Sequence, residues 1–131
     1  MSVLSYLIAH PVDNVTQEIT VSERLRGKKF VIRAMTGDEF SEYSRMATRV
    51  GKGRNVSFDA KAYNQLMIVN HTVSPDFKDP EAIKQAGCAT PEQLLNKVLL
   101  AGEMAELAAR ISELSGFDRS LDEAADEIKN A

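Results

Sequence analysis

The chain has 131 residues, of which 44% are hydrophobic and 27% are charged, and its formal net charge at pH 7 is −3. This length predicts a single domain over residues 1–131, large enough to bury about two-thirds of its unfolded surface. The negative charge disfavours a protein that coats nucleic acid, which needs a basic stripe. A membrane-spanning helix needs a run of about 20 apolar residues, and the sequence contains no such run.

The N-terminus and the single cysteine indicate the compartment. Residues 1–9 lack the positively charged start of a signal peptide, and their apolar run is too short for one. Cys88 has no second cysteine with which to form an internal disulfide. We therefore expect the protein in a reducing cytoplasm.

Caps, turns and hydrophobic periodicity divide the first part of the chain into six predicted elements. In chain order they are a short helix over 2–9, strands over 15–22 and 29–35, a helix over 36–50, a short strand over 55–58 and a helix over 59–72. The first two strands alternate apolar and polar residues or are rich in β-branched ones, and we expect them to form an antiparallel hairpin. Thr36 and Glu39 have the spacing of a capping box at the start of the fourth element.

In the second part of the chain the same signals predict only helices. These are a short helix over 80–86, a long helix over 91–115 and a C-terminal helix over 120–129. Thr90 is placed as the N-cap of the long helix, Pro91 suits its first position, and Gly116 suits its end. The complete pattern predicts an α+β fold that is mostly α: a small antiparallel sheet of two or three strands packed against about five helices.

The long helix carries two apolar seams, which is more apolar surface than one contact requires. The first seam is Leu100, Met104, Leu107, Ile111 and Leu114; the second is Leu94, Val98, Ala101, Ala105 and Ala108. Glu92, Asn96, Glu103, Glu106, Arg110 and Glu113 are expected on the solvent side. Either both seams lie inside the fold, or one of them faces a partner. Gly102 favours the close approach of another helix, because a helix-interior glycine otherwise costs about 1 kcal/mol relative to alanine.

On the second of these interpretations, the seams supply the candidate partner-binding residues. They are Val98, Leu100, Ala101, Met104, Ala105, Leu107, Ile111 and Leu114. The same helix could also pair with a second copy of the chain, so a homo-oligomer is a further expectation.

Residues that could carry out chemistry are few and scattered. Cys88 has no histidine close to it in the sequence and is expected to pack as a small hydrophobic residue. His10 and His71 lie at predicted helix ends, where capping or surface roles are expected. The acidic cluster Asp76, Asp79 and Glu81 is explained by helix capping, and no metal-binding motif occurs. We expect no enzyme activity, no cofactor and no metal site.

Several segments together resemble a known family. They are Met1–Leu7 (MSVLSYL), Thr20–Leu25 (TVSERL), Pro75–Asp79 (PDFKD), Gly87–Glu103 (GCATPEQLLNKVLLAGE) and Leu114–Phe117 (LSGF). In these segments, and over nearly the whole chain, the sequence resembles the XkdN-like tail assembly chaperones of tailed phages and of defective prophages in Gram-positive bacteria. The loop over residues 23–29 departs from the pattern, because it is shorter than in many relatives.

This resemblance implies a binding role and transfers no catalytic residues. Such chaperones bind the tape measure protein, keep its long apolar helices soluble while the tail tube polymerises, and are absent from the finished virion. In many related phages a frameshifted, longer product helps to recruit tail tube subunits. The alternative function is a minor structural component of the tail that stays in the particle.

Overall fold

The computed structural model of the protein describes residues 2–53 and 55–117. Within these residues it contains six α-helices and five short strands, so the predicted fold class, α+β and mostly α, is confirmed. The C-terminal helix predicted over 120–129 lies outside the described residues.

The elements follow one another as a helix, a β-hairpin, a helix, a second pair of strands, a helix, one further strand and three helices. The helices are α1 (Val3–Ala9), α2 (Gly37–Met46), α3 (Ala60–His71), α4 (Pro80–Gln85), α5 (Pro91–Val98) and α6 (Ala101–Leu114). The strands are β1 (Thr16–Ile19), β2 (Phe30–Arg33), β3 (Thr48–Val50), β4 (Val56–Phe58) and β5 (Thr72–Ser74). Single turns of 3₁₀ helix at Val12–Asn14 and Glu23–Leu25 flank β1.

The main sheet has three strands in the order β1-β2-β5. Strands β1 and β2 form the predicted antiparallel hairpin, with Thr16 opposite Arg33 and Ile19 opposite Phe30. The third strand was not predicted: β5 follows α3 directly and pairs antiparallel with β2. The strand predicted over 55–58 exists as β4, but it belongs to a separate two-stranded sheet with β3.

The helix predicted over 36–50 ends at Met46, and residues 48–50 form β3 instead. Thr48 and Val50 are β-branched, and such residues lose side-chain freedom in a helix but fit a pleated strand. The capping box at the start of α2 is present as predicted, because the Glu39 backbone N–H donates to Thr36 Oγ1 and the Thr36 N–H donates to Glu39 Oε1.

Helix α3 lies at the centre of the fold and packs against α2, α5 and α6. The largest fully buried apolar side chains come from β2, α3, α5 and α6: Ile32, Met67, Ile68, Leu95, Leu107 and Ile111. Met67 is only 1% exposed, so it is an ordinary core methionine.

The long helix predicted over 91–115 is interrupted, which corrects the prediction of one continuous rod. Leu99 and Leu100 adopt extended backbone angles between α5 and α6. The Arg24 guanidinium donates to the Val98 carbonyl oxygen at 2.9 Å, and the Leu100 N–H donates to Glu103 Oε1 at 2.7 Å. At this corner, side chains therefore form hydrogen bonds with backbone groups that would otherwise pair within a continuous helix.

Candidate partner-binding surface

The structure separates the eight candidate partner-binding residues into three groups by exposure. Leu107 and Ile111 have no exposed surface and belong to the core. Met104 and Leu114 are half-buried against it. Val98, Leu100, Ala101 and Ala105 are exposed, with Leu100 59% accessible. A partner that binds the folded chain can contact only the last two groups.

We give the name α5–α6 surface to the exposed candidates together with half-buried Met104: Val98, Leu100, Ala101, Met104 and Ala105. Three of them, Ala101, Met104 and Ala105, line a groove of about 390 Å³ between α3 and α6. The remaining groove-lining residues are Lys61, Asn64, Ile68 and Asn96. The α6 side of the groove is apolar, and the opposite side and one end carry polar groups that can orient a ligand.

Gly102 lies on the exposed side of α6, in its first turn. A Cβ atom added at this glycine would meet no heavy atom within 4 Å. The close approach of another helix, predicted from this glycine, therefore does not occur within the described residues. The small residues at 101, 102 and 105 leave open space along this side of α6.

Glu103 was expected on the solvent side of the helix but is only 4% exposed. Its carboxylate accepts hydrogen bonds from Arg24, from the Ser22 hydroxyl at 2.5 Å and from the Leu100 N–H. The hydrogen bond from Arg24 is the main cause that lowers the pKa of Glu103 to about 2; Ser22 adds to it, and burial opposes it. The charged carboxylate is thereby fixed at the base of the α5–α6 surface. Sequence reasoning missed this role because Arg24 is 79 positions away.

Two further apolar surfaces were not predicted as sites. The first is α1, where every residue is exposed and the large apolar side chains are 53–77% accessible: Val3, Leu4, Tyr6, Leu7 and Ile8. The second runs from the β3–β4 hairpin to α2 and includes Val50, Val56, Phe58 and Phe40. For α1 the available signal was the segment 3–8, in which every residue except Ser5 is apolar or aromatic.

His71 lies in the core, not at the surface as predicted. It is fully buried. Its Nε2 atom lies 2.8 Å from the Tyr43 hydroxyl oxygen and 3.6 Å from a Glu39 carboxylate oxygen. Burial lowers the pKa of His71, and Arg33 lowers it further, against the opposing effect of Glu39. Tyr43 is also buried, so this network lies within the protein interior.

The remaining chemistry-bearing residues have structural surroundings. Cys88 is half-buried against the core, and Asp79 accepts the Glu81 N–H as the predicted cap of α4. Across residues 2–53 and 55–117, no three His, Cys, Asp or Glu side chains are grouped in a way that could hold a metal ion. No helix in the same residues has the length and apolar character needed to cross a membrane.

The described residues form a small α+β domain with exposed apolar faces. A family model described as phage XkdN-like tail assembly chaperone protein matches residues 4–129, and the chain belongs to this family. The protein is therefore a phage tail assembly chaperone by family.

The chain is also similar to individual proteins. The chain is 24% identical to the phage-like element PBSX protein XkdN of Bacillus subtilis (strain 168), an alignment that covers 86% of this chain and 83% of XkdN. It is 27% identical, with the same coverage, to the uncharacterised protein YqbN of that strain. The crystal structure of YqbN superposes with a TM-score of 0.71 at 23% identity, over 90% of this chain and 98% of that one. This last likeness is one of fold.

Proposed function

We propose that the protein is a non-enzymatic chaperone that binds the tape measure protein during tail assembly in the host cytoplasm and leaves before the particle is complete. Membership of the tail assembly chaperone family supports this proposal. The observation that carries it is the α5–α6 surface, where Val98 and Leu100 are 42% and 59% exposed. Ala101, Met104 and Ala105 of the same surface form the apolar side of a groove.

The surface has the properties needed to hold a helix of another protein. An amphipathic helix docks by laying its apolar side chains into a groove at helical spacing. The small side chains of Ala101 and Ala105 allow its backbone to come close, and Met104 can adapt to different side chains because its thioether chain is flexible. A binding surface of this kind covers apolar helices of a client without recognising one fixed sequence.

The structure allows variants that test binding separately from folding. Leu100 occupies the N-cap position of α6, and serine is a preferred N-cap residue. Leu100→Ser therefore removes an exposed apolar side chain while supporting the helix, since residue 103 is already the glutamate of a capping box. Ala105→Asp places a charge on the same surface, and Ala89→Asp is its matched control on an exposed alanine in the α4–α5 loop.

The experiment is co-expression of the tape measure protein with each variant, followed by measurement of the soluble complex. We expect the double variant Leu100→Ser, Ala105→Asp to lose most of the complex while its thermal midpoint stays within a few degrees of the parent. Ala89→Asp should keep the complex. Retention of the complex by a folded double variant would disprove this binding surface.

A second experiment distinguishes a chaperone from a minor structural component of the tail. Mass spectrometry of purified particles should show none of this chain beside the tube and tape measure proteins. Near-stoichiometric amounts in the particle would favour the structural role. Recruitment of tail tube subunits through a frameshifted longer product would be visible as a second, larger translation product in infected or induced cells.

A further inference from the structure

The described residues end beside an exposed apolar surface. Phe117 is the last of them, and its ring centroid lies 5.1 Å from that of Phe40 on α2. Phe40 also contacts Tyr63, and Tyr63 contacts Phe58 of β4. Phe40 and Phe58 are 37% and 55% exposed. The sequence therefore continues past Phe117 from the edge of an apolar surface that extends to the β3–β4 hairpin.

We call this surface the hairpin surface and define it as Phe40, Val50, Val56 and Phe58. Val56 and Phe58 lie two residues apart on β4 and share one strand face, and Val50 lies opposite Val56 on that face. Both valines are more exposed than Phe58. Exposed apolar side chains that are contiguous in this way mark a surface that another segment covers, whereas single ones do not.

The sequence after Phe117 has the pattern of an amphipathic helix. Residues 118–131, which lie outside the described residues, read DRSLDEAADEIKNA. Four apolar residues of this segment have the spacing of one helix side: Leu121, Ala124, Ala125 and Ile128. The charged residues that alternate with them fall on the other sides of the same helical wheel: Asp122, Glu123, Asp126, Glu127 and Lys129.

A helix of this length requires a surface to pack against. The predicted helix over 120–129 has about ten residues, and isolated helices shorter than about 12–15 residues are marginal in water. Most of the stability of such a helix comes from burial of its apolar side. The family match continues to residue 129, so it includes this helix. The segment needs an apolar surface, and within residues 2–53 and 55–117 the hairpin surface has no cover.

Length and attachment favour the hairpin surface over the α5–α6 surface. The steps between ring centroids that lead from Phe117 to Phe58 measure 5.1, 6.0 and 5.7 Å. A helix of ten residues is about 15 Å long, so it can extend from Phe40 to the hairpin. Leu100 lies at the opposite end of α6, which at 14 residues is about 21 Å long.

Charge does not select this occupant. Among the described residues, positions 38–59 contain four acidic residues, Asp38, Glu39, Glu42 and Asp59, and three basic ones, Arg45, Arg49 and Lys52. Glu113, near the end of α6, adds a further acidic residue, and Lys61 lines the groove beside α6 instead. Residues 118–131 contain five acidic and two basic residues. The contact therefore depends on apolar burial, and added salt should not release the segment.

We propose that residues 120–129 form a helix that docks on the hairpin surface of the same chain through its apolar side. Because the segment begins beside Phe40, Leu121 lies nearest to that ring and Ile128 lies nearest to the hairpin. A short tether gives an effective concentration of about millimolar, so a weak apolar contact is sufficient. The inference goes beyond the proposed function, because it assigns the hairpin surface to the chain itself and leaves the α5–α6 surface open to a client.

The test uses the full chain and a fluorescent reporter on each surface. The sequence contains no tryptophan, so Phe58→Trp and Leu100→Trp each introduce a single one, on the hairpin surface and on the α5–α6 surface. Adding Ile128→Asp to the Phe58→Trp chain should shift its emission to longer wavelengths, because the indole ring loses its cover and meets water. Adding Ile128→Asp to the Leu100→Trp chain should leave the emission unchanged.

Two controls separate docking from folding and from charge. Asn130→Asp introduces the same charge on the polar side of the predicted helix and should not shift the emission of the Phe58→Trp chain. Unfolding of the whole domain would shift the emission of both reporters, so the unchanged Leu100→Trp spectrum shows that the fold is intact. Neither reporter requires the tape measure protein, so failure of this inference and failure of the proposed function are distinguishable.

Three outcomes would overturn the inference. The first is an emission of the Phe58→Trp chain that does not respond to Ile128→Asp. The second is a shift confined to the Leu100→Trp chain, which would place the segment on the α5–α6 surface. The third is an emission of the Phe58→Trp chain that moves to longer wavelengths over about a hundredfold dilution, since a contact within one chain is independent of concentration and a second copy is not.

Discussion

Arg24 and Glu103 form a two-point ion pair that fixes the corner between α5 and α6. The Arg24 Nε atom donates to Glu103 Oε2 at 2.7 Å, and Nη2 lies 2.6 Å from Oε1. The same guanidinium donates a hydrogen bond to the last carbonyl oxygen of α5, that of Val98. The same carboxylate accepts a hydrogen bond from the Leu100 N–H, just before α6. One pair of side chains thus satisfies a backbone group at each of the two facing helix ends, and it leaves Leu100 pointing into solvent.

The first prediction concerns the stability that this pair provides. Glu103→Gln keeps the shape of the side chain but removes its charge, and we expect it to lower the free energy of unfolding at pH 7 by about 2 kcal/mol. Urea denaturation measures this difference. The exposed pair Glu42–Arg45 supplies the control, since Glu42→Gln should cost less than about 0.5 kcal/mol.

The same substitution should change the acid sensitivity of the protein. The pKa of Glu103 is about 2 in the folded protein, below its ordinary value of 4.5. The contribution to stability is therefore present above pH 4.5 and is lost as the pH falls towards 2. The difference between the parent and Glu103→Gln should shrink over this interval. A difference that stays constant from pH 5 to pH 2.5 would contradict the assignment.

The second prediction concerns the buried histidine. Burial lowers the pKa of His71 below 6.5, so the unfolded chain binds a proton more readily than the folded one. Stability is therefore fully present above pH 6.5 and decreases as the pH falls below that value. His71→Gln should lower stability at pH 7 but remove this dependence between pH 6.5 and 5.

The control for this experiment is the other histidine of the chain. His10 is exposed and stacks on Tyr6 of α1, outside the core network. His10→Gln makes the same replacement at the surface and should change the free energy of unfolding at pH 7 much less than His71→Gln does. If His71→Gln keeps the parental dependence, the buried imidazole does not cause it.

Local signals in the sequence were sufficient to predict most of the helices of the fold. The cap at Thr36, the cap at Asp59 and the proline at the start of α4 and α5 all mark helix starts that the structure confirms. These signals act within one turn of helix, so they can be read without knowing the rest of the chain.

Apart from β3, whose β-branched residues are a local signal, the errors come from interactions between residues distant in sequence. The interruption at Leu99–Leu100 depends on Arg24, and the burial of His71 depends on Tyr43 and β2. The strand β5 exists because β2 offers it an edge. No local pattern encodes these contacts, so the sequence predicted an unbroken helix and a surface histidine.

The exposure of the candidate residues was predictable only in part for the same reason. Apolar spacing selected a stretch of α5 and α6 as the candidate surface, but it could not say which residues of each seam face the core. Leu107 and Ile111 became core residues, and Leu100 with the small residues near it became the exposed surface. The division therefore runs within each seam, and the extended residues Leu99 and Leu100 separate the α5 part of the pattern from the α6 part.

The third prediction tests this division. Leu107→Ala removes a fully buried side chain and should lower the free energy of unfolding by about 3 kcal/mol. Val98→Ala removes a side chain that is 42% exposed and should cost less than about 1 kcal/mol. Chemical denaturation compares the two. Similar small costs for both would place Leu107 outside the core. Because Leu107 is buried, a Leu107→Asp variant that lost client binding would do so through unfolding, and the loss would not identify the binding surface.

The last prediction uses Gly102 to relate stability to binding. Alanine is the better helix former, and the structure offers open space for its Cβ atom, so Gly102→Ala should raise the free energy of unfolding by about 0.5 kcal/mol. If a client helix packs closely on Ala101 and Ala105, the added methyl group should at the same time weaken the tape measure complex. Thermal unfolding and a pull-down at limiting client measure the two effects. Gly87→Ala is the contrasting control, because its φ of +74° makes any side chain strained and should lower stability without touching this surface. A Gly102→Ala chain that is more stable and binds its client as tightly as the parent would show that the helix does not approach this part of α6.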